Sequence, residues 1–276
     1  MPALSPSRTE RLAALRAQVR TIESQARREV HDCLPFGIEA VDARLAGGGL
    51  ARAALHEIAG AKAGLADEAA ACLFIAGLAA RQANKAEAKA VTGKVVTGKG
   101  GAGTKGTVLW ALKRRDLFAP GLAQAGLAPD RLIYAECGCD EDVLAVMEEG
   151  LRHGGLAAVV GEIGRAAMAS TRRLQLAAEA GGTIALMLRR WRRTGEDPLG
   201  LPSAAATRWR IGCVPSTMLP VPGVGRARWE VMLVRQRGGE PFEWIMESPD
   251  AEGRFALPPH SAHRPAAAGA GEKRAA

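Results

Sequence analysis

Long hydrophobic runs are missing from this sequence, and cysteine is scarce. No stretch approaches the roughly 18 uninterrupted apolar residues that span a bilayer, and residues 1–20 have no apolar core of the kind found in a signal peptide. The five cysteines are an odd number, which argues for reduced thiols rather than a disulfide framework. We therefore expect a cytoplasmic protein with no membrane contact.

The composition is that of a globular protein with a basic surface. With 276 residues, of which 47 % are hydrophobic, the chain is long enough for one main domain with a well-buried core. The net charge of +8 is compatible with polyanionic partners, although many basic proteins bind no nucleic acid. Cys137 and Cys139 form the only close cysteine pair, and no other Cys or His lies near them, so we expect neither a metal nor a cofactor.

Between residues 34 and 250 short apolar strands alternate with amphipathic helices. The predicted strands are 53–59, 107–112, 132–135, 156–160 and 183–188, with helices at 68–81, 140–153 and 165–180 between them. Such alternation predicts an α/β core whose mostly parallel sheet is covered by helices on both faces. Beyond residue 188 the helices stop, and 208–214, 228–235 and 242–246 are expected to extend the sheet as antiparallel edge strands.

Three segments stand apart from this core. Residues 1–33 contain an amphipathic helix whose apolar stripe packs either on its own domain or on a neighbouring protein; the stripe consists of Leu12, Leu15, Val19 and Ile22. Residues 83–106 are rich in lysine and predict a flexible basic insertion, either a polyanion-binding arm or a solvated loop. Residues 251–276 are Pro, Ala and charge, which predicts a disordered tail.

The start of the core resembles that of RecA-type ATPases, with three glycines, a strand, a glycine-containing turn and a helix. A working phosphate-binding loop has the pattern G-x-x-x-x-G-K-[ST], in which the lysine and the hydroxyl contact phosphate and metal. Counted from Gly60, the last three positions hold Leu65, Ala66 and Asp67. Asp67 would face the phosphates with a like charge. Lys62 and Gly64 lie inside the loop but do not restore the pattern.

The other half of the nucleotide site is altered as well. The strand that should end in a metal-binding aspartate runs into Gly161, with Glu162 one position later, where a one-residue shift turns a side chain to the opposite face. Lys113–Arg115 follow the strand after which this fold places its general base. We predict a vestigial nucleotide loop, comprising Gly60, Lys62, Gly64, Asp67 and Glu162, and no ATP hydrolysis.

The predicted strand 183–188 is followed by four arginines around one tryptophan. In the RecA arrangement, loops after the later parallel strands face single-stranded DNA, so this run is a candidate DNA contact through phosphate neutralisation and base stacking. The run is Arg189, Arg190, Trp191, Arg192 and Arg193. A solvated basic turn with the tryptophan packed on the core is an equally good interpretation.

Several motifs together resemble the ImuA family of RecA-like inducible-mutagenesis accessory proteins. They are Leu34-Pro-Phe-Gly-Ile-Glu-Ala-Val-Asp42, Gly47-Gly-Gly-Leu50, His56-Glu-Ile58, Ala119-Pro-Gly-Leu-Ala-Gln-Ala-Gly-Leu127 and Ser170-Thr-Arg-Arg-Leu-Gln-Leu-Ala-Ala-Glu-Ala-Gly-Gly182. The resemblance implies a role in SOS-induced translesion synthesis. It also implies an ImuB-like Y-family polymerase homologue and an error-prone C-family polymerase subunit as partners, with RecA and single-stranded DNA as further candidates.

Two alternatives to a non-catalytic adaptor remain open from the residues. One is a divergent DNA-dependent ATPase that uses Lys62 and Glu162 in unusual roles. The other is a nucleic-acid-binding protein in which the basic segments are sufficient for function. Magnesium-dependent ATP binding would favour the first of these, whereas the adaptor predicts none.

Overall fold

The computed structural model describes residues 32–91, 106–216, 222–223 and 225–258, with the side chains of 87–91 left out. The predicted N-terminal stripe (Leu12, Leu15, Val19 and Ile22) and most of the predicted tail lie outside these residues. No helix in this part of the chain is long and apolar enough to cross a membrane. All five cysteines are free thiols, as predicted.

The described residues alternate strands and helices in the predicted order. The strands are β1 (Cys33–Leu34), β2 (Leu50–Ala51), β3 (Leu55–Gly60), β4 (Val108–Leu112), β5 (Leu132–Glu136), β6 (Ala158–Ile163), β7 (Ile184–Arg189), β8 (Thr207–Val214), β9 (Arg228–Gln236) and β10 (Phe242–Glu247). The α-helices are α1 (Glu39–Asp42), α2 (Leu65–Val91), α3 (Ala119–Gln124), α4 (Asp140–His153) and α5 (Met168–Gly181).

The main sheet has the strand order β10-β9-β8-β3-β7-β6-β4-β5. Strands β5, β4, β6, β7, β3 and β8 are mutually parallel, and β9 and β10 are added in antiparallel pairings. The prediction for residues 208–214 was wrong in direction, because β8 pairs in parallel with β3. A period-two pattern identifies a strand but carries no information about its direction. This mostly parallel α/β architecture confirms the RecA-like core.

Helices cover both faces of the sheet and divide the apolar interior into two layers. On one face, Phe74 of α2 packs in an aromatic cluster. The centroid of its ring lies 5.9 Å from that of Trp209. On the other face α4 and α5 bury Met147 and Leu174. Trp209, Trp229 and Trp244 are buried in the first layer, which confirms their predicted packing role. The central parallel strands are therefore shielded from water on both sides.

Helix α2 continues beyond its predicted end at Arg81 and reaches Val91. The prediction of a loop from residue 83 was wrong for this part, because alanine, lysine and glutamate are strong helix formers and no Gly or Pro occurs before Gly93. Ala83 is also fully buried, which anchors the extension to the core. Residues 92–105 of the lysine-rich segment lie outside the described residues.

A buried hydrogen-bond chain at the start of the sheet contains His56, whose side chain is fully buried. Its Nε2 lies 2.8 Å from the carbonyl oxygen of Ala51, and its Nδ1 lies 2.7 Å from Oγ1 of Thr207. Because a carbonyl oxygen can only accept, Nε2 carries the proton, and Nδ1 accepts from the Thr207 hydroxyl, which itself accepts from the indole N–H of Trp209 at 2.6 Å. Burial lowers the pKa of His56 to about 4.

This histidine predicts a loss of stability in mild acid. The folded state holds His56 neutral down to a pKa of about 4, whereas the unfolded chain is protonated below about 6.5. Unfolding therefore becomes more favourable as the pH falls through this window, by about 2 kcal/mol between pH 7.5 and pH 5. Urea unfolding at the two pH values measures the change. His56→Gln should remove most of it and His153→Gln, at an exposed site, should not; equal slopes in both variants would contradict the assignment.

Candidate functional site

The candidate site lies at the carboxyl ends of β3, β4, β6 and β7, where the nucleotide loop was predicted. The loop leaves β3 at Gly60 and enters α2 at Leu65. The turn is tight, because a Cβ added at Gly60 would lie 3.0 Å from the backbone carbon of Asp67. The carbonyl of Gly64 accepts from the amide of Glu68 at 3.1 Å, so α2 begins directly at the loop.

The carboxylate of Asp67 is bound by backbone amides of the loop and of a distant strand. Its Oδ2 accepts from the amide of Lys62 at 3.0 Å, and its Oδ1 accepts from the amide of Cys213 on β8 at 2.8 Å. The loop amide of Lys62 is the kind of donor that a phosphate-binding loop offers to an anion. Here that amide donates to a carboxylate of the chain itself.

A second internal charge, the guanidinium of Arg190, follows β7 and binds three carboxylates. Its Nη2 lies 2.7 Å from Oε2 of Glu162 on β6 and 3.1 Å from Oδ1 of Asp116 after β4. Its Nη1 lies 3.1 Å from Oε2 of Glu68 in the first turn of α2. The indole N–H of Trp110 donates to the other oxygen of Glu162 at 2.7 Å. We call these five residues the Arg190 cluster.

The cluster is shielded from water, which strengthens the attraction between its opposite charges. The side chain of Glu162 is 3 % exposed and that of Arg190 is 15 % exposed. Burial raises the pKa of Glu162, while the charge of Arg190 and the hydrogen bond from Trp110 oppose the rise. Burial alone would lower the pKa of Arg190, but the charges of Glu162 and Asp116 raise it above its usual value. The guanidinium is thus a permanent cation among the carboxylates.

Gly161 and Glu162 lie on opposite faces of β6: Gly161 faces α4, and Glu162 faces α2. A Cβ at Gly161 would lie 2.1 Å from Sδ of Met147 on α4, away from the loop. Glu162 faces α2 and the loop, where it meets Arg190. The inference that the one-residue shift carries Glu162 to the wrong side is therefore corrected: Glu162 faces the loop, and Gly161 lies in the core beneath α4.

Placing an aspartate at Gly161 should therefore damage the protein rather than rebuild a metal site. Gly161→Asp forces a charged side chain into the packed layer beside Met147 and Val143, and we expect a loss of about 3 kcal/mol or more in unfolding free energy. The measurement is urea denaturation. The matched control is Gly64→Asp, because a Cβ at Gly64 meets nothing within 4 Å. A Gly161→Asp protein as stable as the control would refute this packing account.

Arg189, the first residue of the basic run, is buried inside the sheet. Its Nη1 lies 2.7 Å from Oε1 of Glu57 on β3, and Nε of Arg208 on β8 lies 2.7 Å from the other oxygen. Glu57 is fully buried and Arg189 is 1 % exposed. This buried triad joins three neighbouring parallel strands. Arg189 therefore has a partner within the fold and is not accessible to a ligand.

The rest of the basic run divides between packing and exposure. Trp191 is partly buried, and its indole N–H donates to the carbonyl of Gly60 at 3.0 Å, which ties the loop after β7 to the end of β3. Arg192 and Arg193 are exposed. Of the five residues predicted as a DNA contact, only these two present free charge to solvent, apart from a weak pair at 4.0 Å between Arg193 and Glu196.

Sequence reasoning missed Asp116, Glu68 and Trp110 as members of the site. Asp116 comes directly after Lys113–Arg115, so a carboxylate does follow β4, one residue beyond these three basic residues. Glu68 follows Asp67 and reads as an ordinary first-turn acid. Nothing in the sequence signals Trp110, whose partner lies on another strand. Within the described residues, no group of His, Cys, Asp and Glu could hold a metal ion.

Comparison with known proteins gives one set of relatives. No family model matches the chain. Protein ImuA from two strains of Caulobacter vibrioides is 37 % identical over 225 residues, which covers 79 % of this chain and 84 % of the relative. The similarity therefore extends over most of both proteins.

Proposed function

The chain belongs to the ImuA family, and from that premise we propose that it is a non-catalytic RecA-like accessory protein of SOS-induced, error-prone translesion DNA synthesis. In this proposal it acts in the cytoplasm by binding polymerase-complex partners rather than by hydrolysing ATP. The observation that carries the non-catalytic part is the Arg190 cluster. A fixed guanidinium lies among the carboxylates that a metal–nucleotide complex would otherwise engage.

Two internal charges support a site that needs no nucleotide. The carboxylate of Asp67 occupies the loop amide of Lys62, as an anion would. The guanidinium of Arg190 places a positive charge among Glu162, Glu68 and Asp116, as a metal ion would. Because both are covalently part of the chain, the loops around the site keep one arrangement without a ligand. An adaptor benefits from this, since a preorganised surface loses less entropy on binding.

The partners proposed are those implied by the family resemblance. They are an ImuB-like Y-family polymerase homologue and an error-prone C-family polymerase subunit, with RecA as a further candidate. No membrane partner is proposed. The divergent-ATPase alternative requires Lys62 and Glu162 to serve a nucleotide, but the carboxylate of Glu162 is already bound by Arg190 and Trp110. That engagement favours the adaptor.

Single-stranded DNA is the second ligand proposed, because Arg192 and Arg193 are exposed cations on the loop after β7. Phosphate contacts of this kind weaken steeply with salt. Replacing both arginines with alanine should lower the affinity for a labelled oligonucleotide and reduce the salt dependence. Unchanged affinity in that variant would exclude direct contact through this loop.

The proposal is tested with purified proteins. Binding of the full chain to each of the two polymerase-class proteins is measured by isothermal titration, with and without magnesium and ATP. The adaptor predicts saturable binding to at least one of them and the same affinity in both conditions. Binding that requires ATP would favour the ATPase alternative, and no binding to either protein would overturn the proposed role.

A further inference from the structure

We propose that a small cavity beside the Arg190 cluster is a docking pocket for an acidic side chain of a protein partner, whose apolar neighbours rest on the aliphatic rim. This inference rests on the proposed adaptor function and names the surface that performs it. The cavity has a volume of about 180 Å³ and lies where β6 and β7 end. We call it the rim pocket; its exposed lining includes Arg165, Arg192, Leu201 and the carboxylates of Glu196 and Asp197.

Two arginines at the rim pocket form no ion pair within the described residues. Arg165 and Arg192 are exposed, and in the described part of the chain neither is paired with a carboxylate. Of the two carboxylates that line the pocket, Asp197 is paired with Arg210, whereas Glu196 has only the weak pair with Arg193; the two free guanidiniums therefore outnumber the one weakly paired carboxylate. Asp197 lies 2.6 Å from Nη2 of Arg210, and Glu196 lies 4.0 Å from Nη1 of Arg193. The pocket therefore presents unpaired guanidinium groups to whatever enters it, and it favours an anion.

The fold holds the backbone of Arg165 and the aliphatic part of Arg192 in place. The backbone amides of Gly164 and Arg165 donate to the carboxylate of Asp140 at 3.2 and 3.3 Å, which fixes the loop after β6. The aliphatic part of Arg192 packs over Gly164, where an added Cβ would lie 2.7 Å from its Cδ. Arg189 lies beneath the same cavity, but it is 1 % exposed and paired with Glu57, so it adds no free charge to the pocket. A preorganised cationic pocket of this kind suits a carboxylate better than a mobile surface arginine does.

Arg192 also belongs to the loop proposed above to contact single-stranded DNA, but the apolar lining favours a protein segment as the occupant of the pocket itself. Leu201 is 41 % exposed at the pocket, and Pro198 is a further apolar residue of its lining. Bases bind through stacking on aromatic rings, whereas these side chains offer only apolar packing. The nearest aromatic ring in sequence, Trp191, is partly buried with its N–H bound to Gly60. Cations next to apolar lining residues match a segment that carries both acidic and apolar residues.

The experiment reverses the two free charges and compares them with a matched control. The double variant Arg165→Glu and Arg192→Glu is titrated against the polymerase-class partner that binds the wild-type chain. Arg172→Glu is the control, because Arg172 is also exposed and lies on α5 away from the pocket lining. We expect the double variant to lose affinity by about ten-fold or more, and the control to change by less than about two-fold. Leu201→Ser should weaken binding without altering charge.

Each outcome has one meaning. Loss of partner binding in the double variant, with binding kept in Arg172→Glu, supports the rim pocket. Retained binding in the double variant overturns the pocket while leaving the adaptor function intact, whereas a wild-type chain that binds neither partner overturns the function first. A parallel titration uses a labelled oligothymidylate. If the double variant loses oligonucleotide affinity and keeps its protein affinity, the pocket is a nucleic-acid site and the proposed protein contact is wrong.

Discussion

Replacing Glu57 with glutamine is expected to reduce the stability of the protein by at least about 3–5 kcal/mol. The carboxylate is fully buried and accepts hydrogen bonds from both Arg189 and Arg208. Without its charge, two guanidiniums remain in the sheet with no anion to compensate them. Since a typical domain has a total stability of about 5–15 kcal/mol, the variant should be largely unfolded at moderate urea concentrations. Urea denaturation followed by circular dichroism measures the change.

The control and the rescue separate the buried triad from a general effect of removing an acid. Glu243→Gln changes the same chemical group on β10, at a partly exposed position outside the triad, and should alter stability by less than about 0.5 kcal/mol. Replacing all three members of the triad together, Glu57→Leu with Arg189→Met and Arg208→Met, removes the unpaired charges and should recover much of the loss. A Glu57→Gln protein as stable as wild type would show that the triad is not charged as described.

Replacing Arg190 with alanine is expected both to destabilise the protein and to create a cation site. Glu162, Glu68 and Asp116 would then lie close together without a counter-charge, and Glu162 is almost fully buried. We expect a loss of about 3 kcal/mol in unfolding free energy. Because carboxylate oxygens are the ligands of hard cations, the variant should bind Tb³⁺ or Ca²⁺ and recover part of this loss.

Trp110 supplies a direct readout of that site, because its indole N–H is bound to Glu162. Excitation of the indole should sensitise saturable terbium emission in Arg190→Ala, and the wild-type chain should give none at the same concentration. Arg193→Ala is the matched control, since Arg193 is 81 % exposed and lies outside the cluster. Terbium binding of equal strength in wild type and variant would mean that the guanidinium does not take the place of a cation.

The order of strands and helices followed from the sequence because buried parallel strands are short apolar runs, and amphipathic helices separate them. The parallel pairing of β8 with β3 could not be predicted, because the side-chain pattern of a strand is the same in either direction. The extension of α2 to Val91 was hidden by lysine-rich composition, which describes charge but not helix propensity.

The sequence identified one unusual residue of the candidate site but not the contacts that it makes. Counting from Gly60 identified Asp67 as an abnormal residue of the loop. Its binding to the amide of Cys213, on a strand far along the chain, depends on how β8 packs beside β3. Arg190 was read as part of a solvent-facing basic run, yet its partners come from three separate elements. These residues meet only when the chain folds, so the local sequence does not indicate their contacts.

The central claim is that charges of the chain itself occupy the site where a RecA-type protein would bind a nucleotide. It is tested most directly by equilibrium titration of the purified wild-type chain with a fluorescent ATP analogue and magnesium, with Arg190→Ala measured in parallel. The account predicts no saturable binding to the wild-type chain at any concentration up to about 1 mM, well above the micromolar range of a functional site. Saturable micromolar binding to the wild-type chain would contradict it and would favour a divergent ATPase.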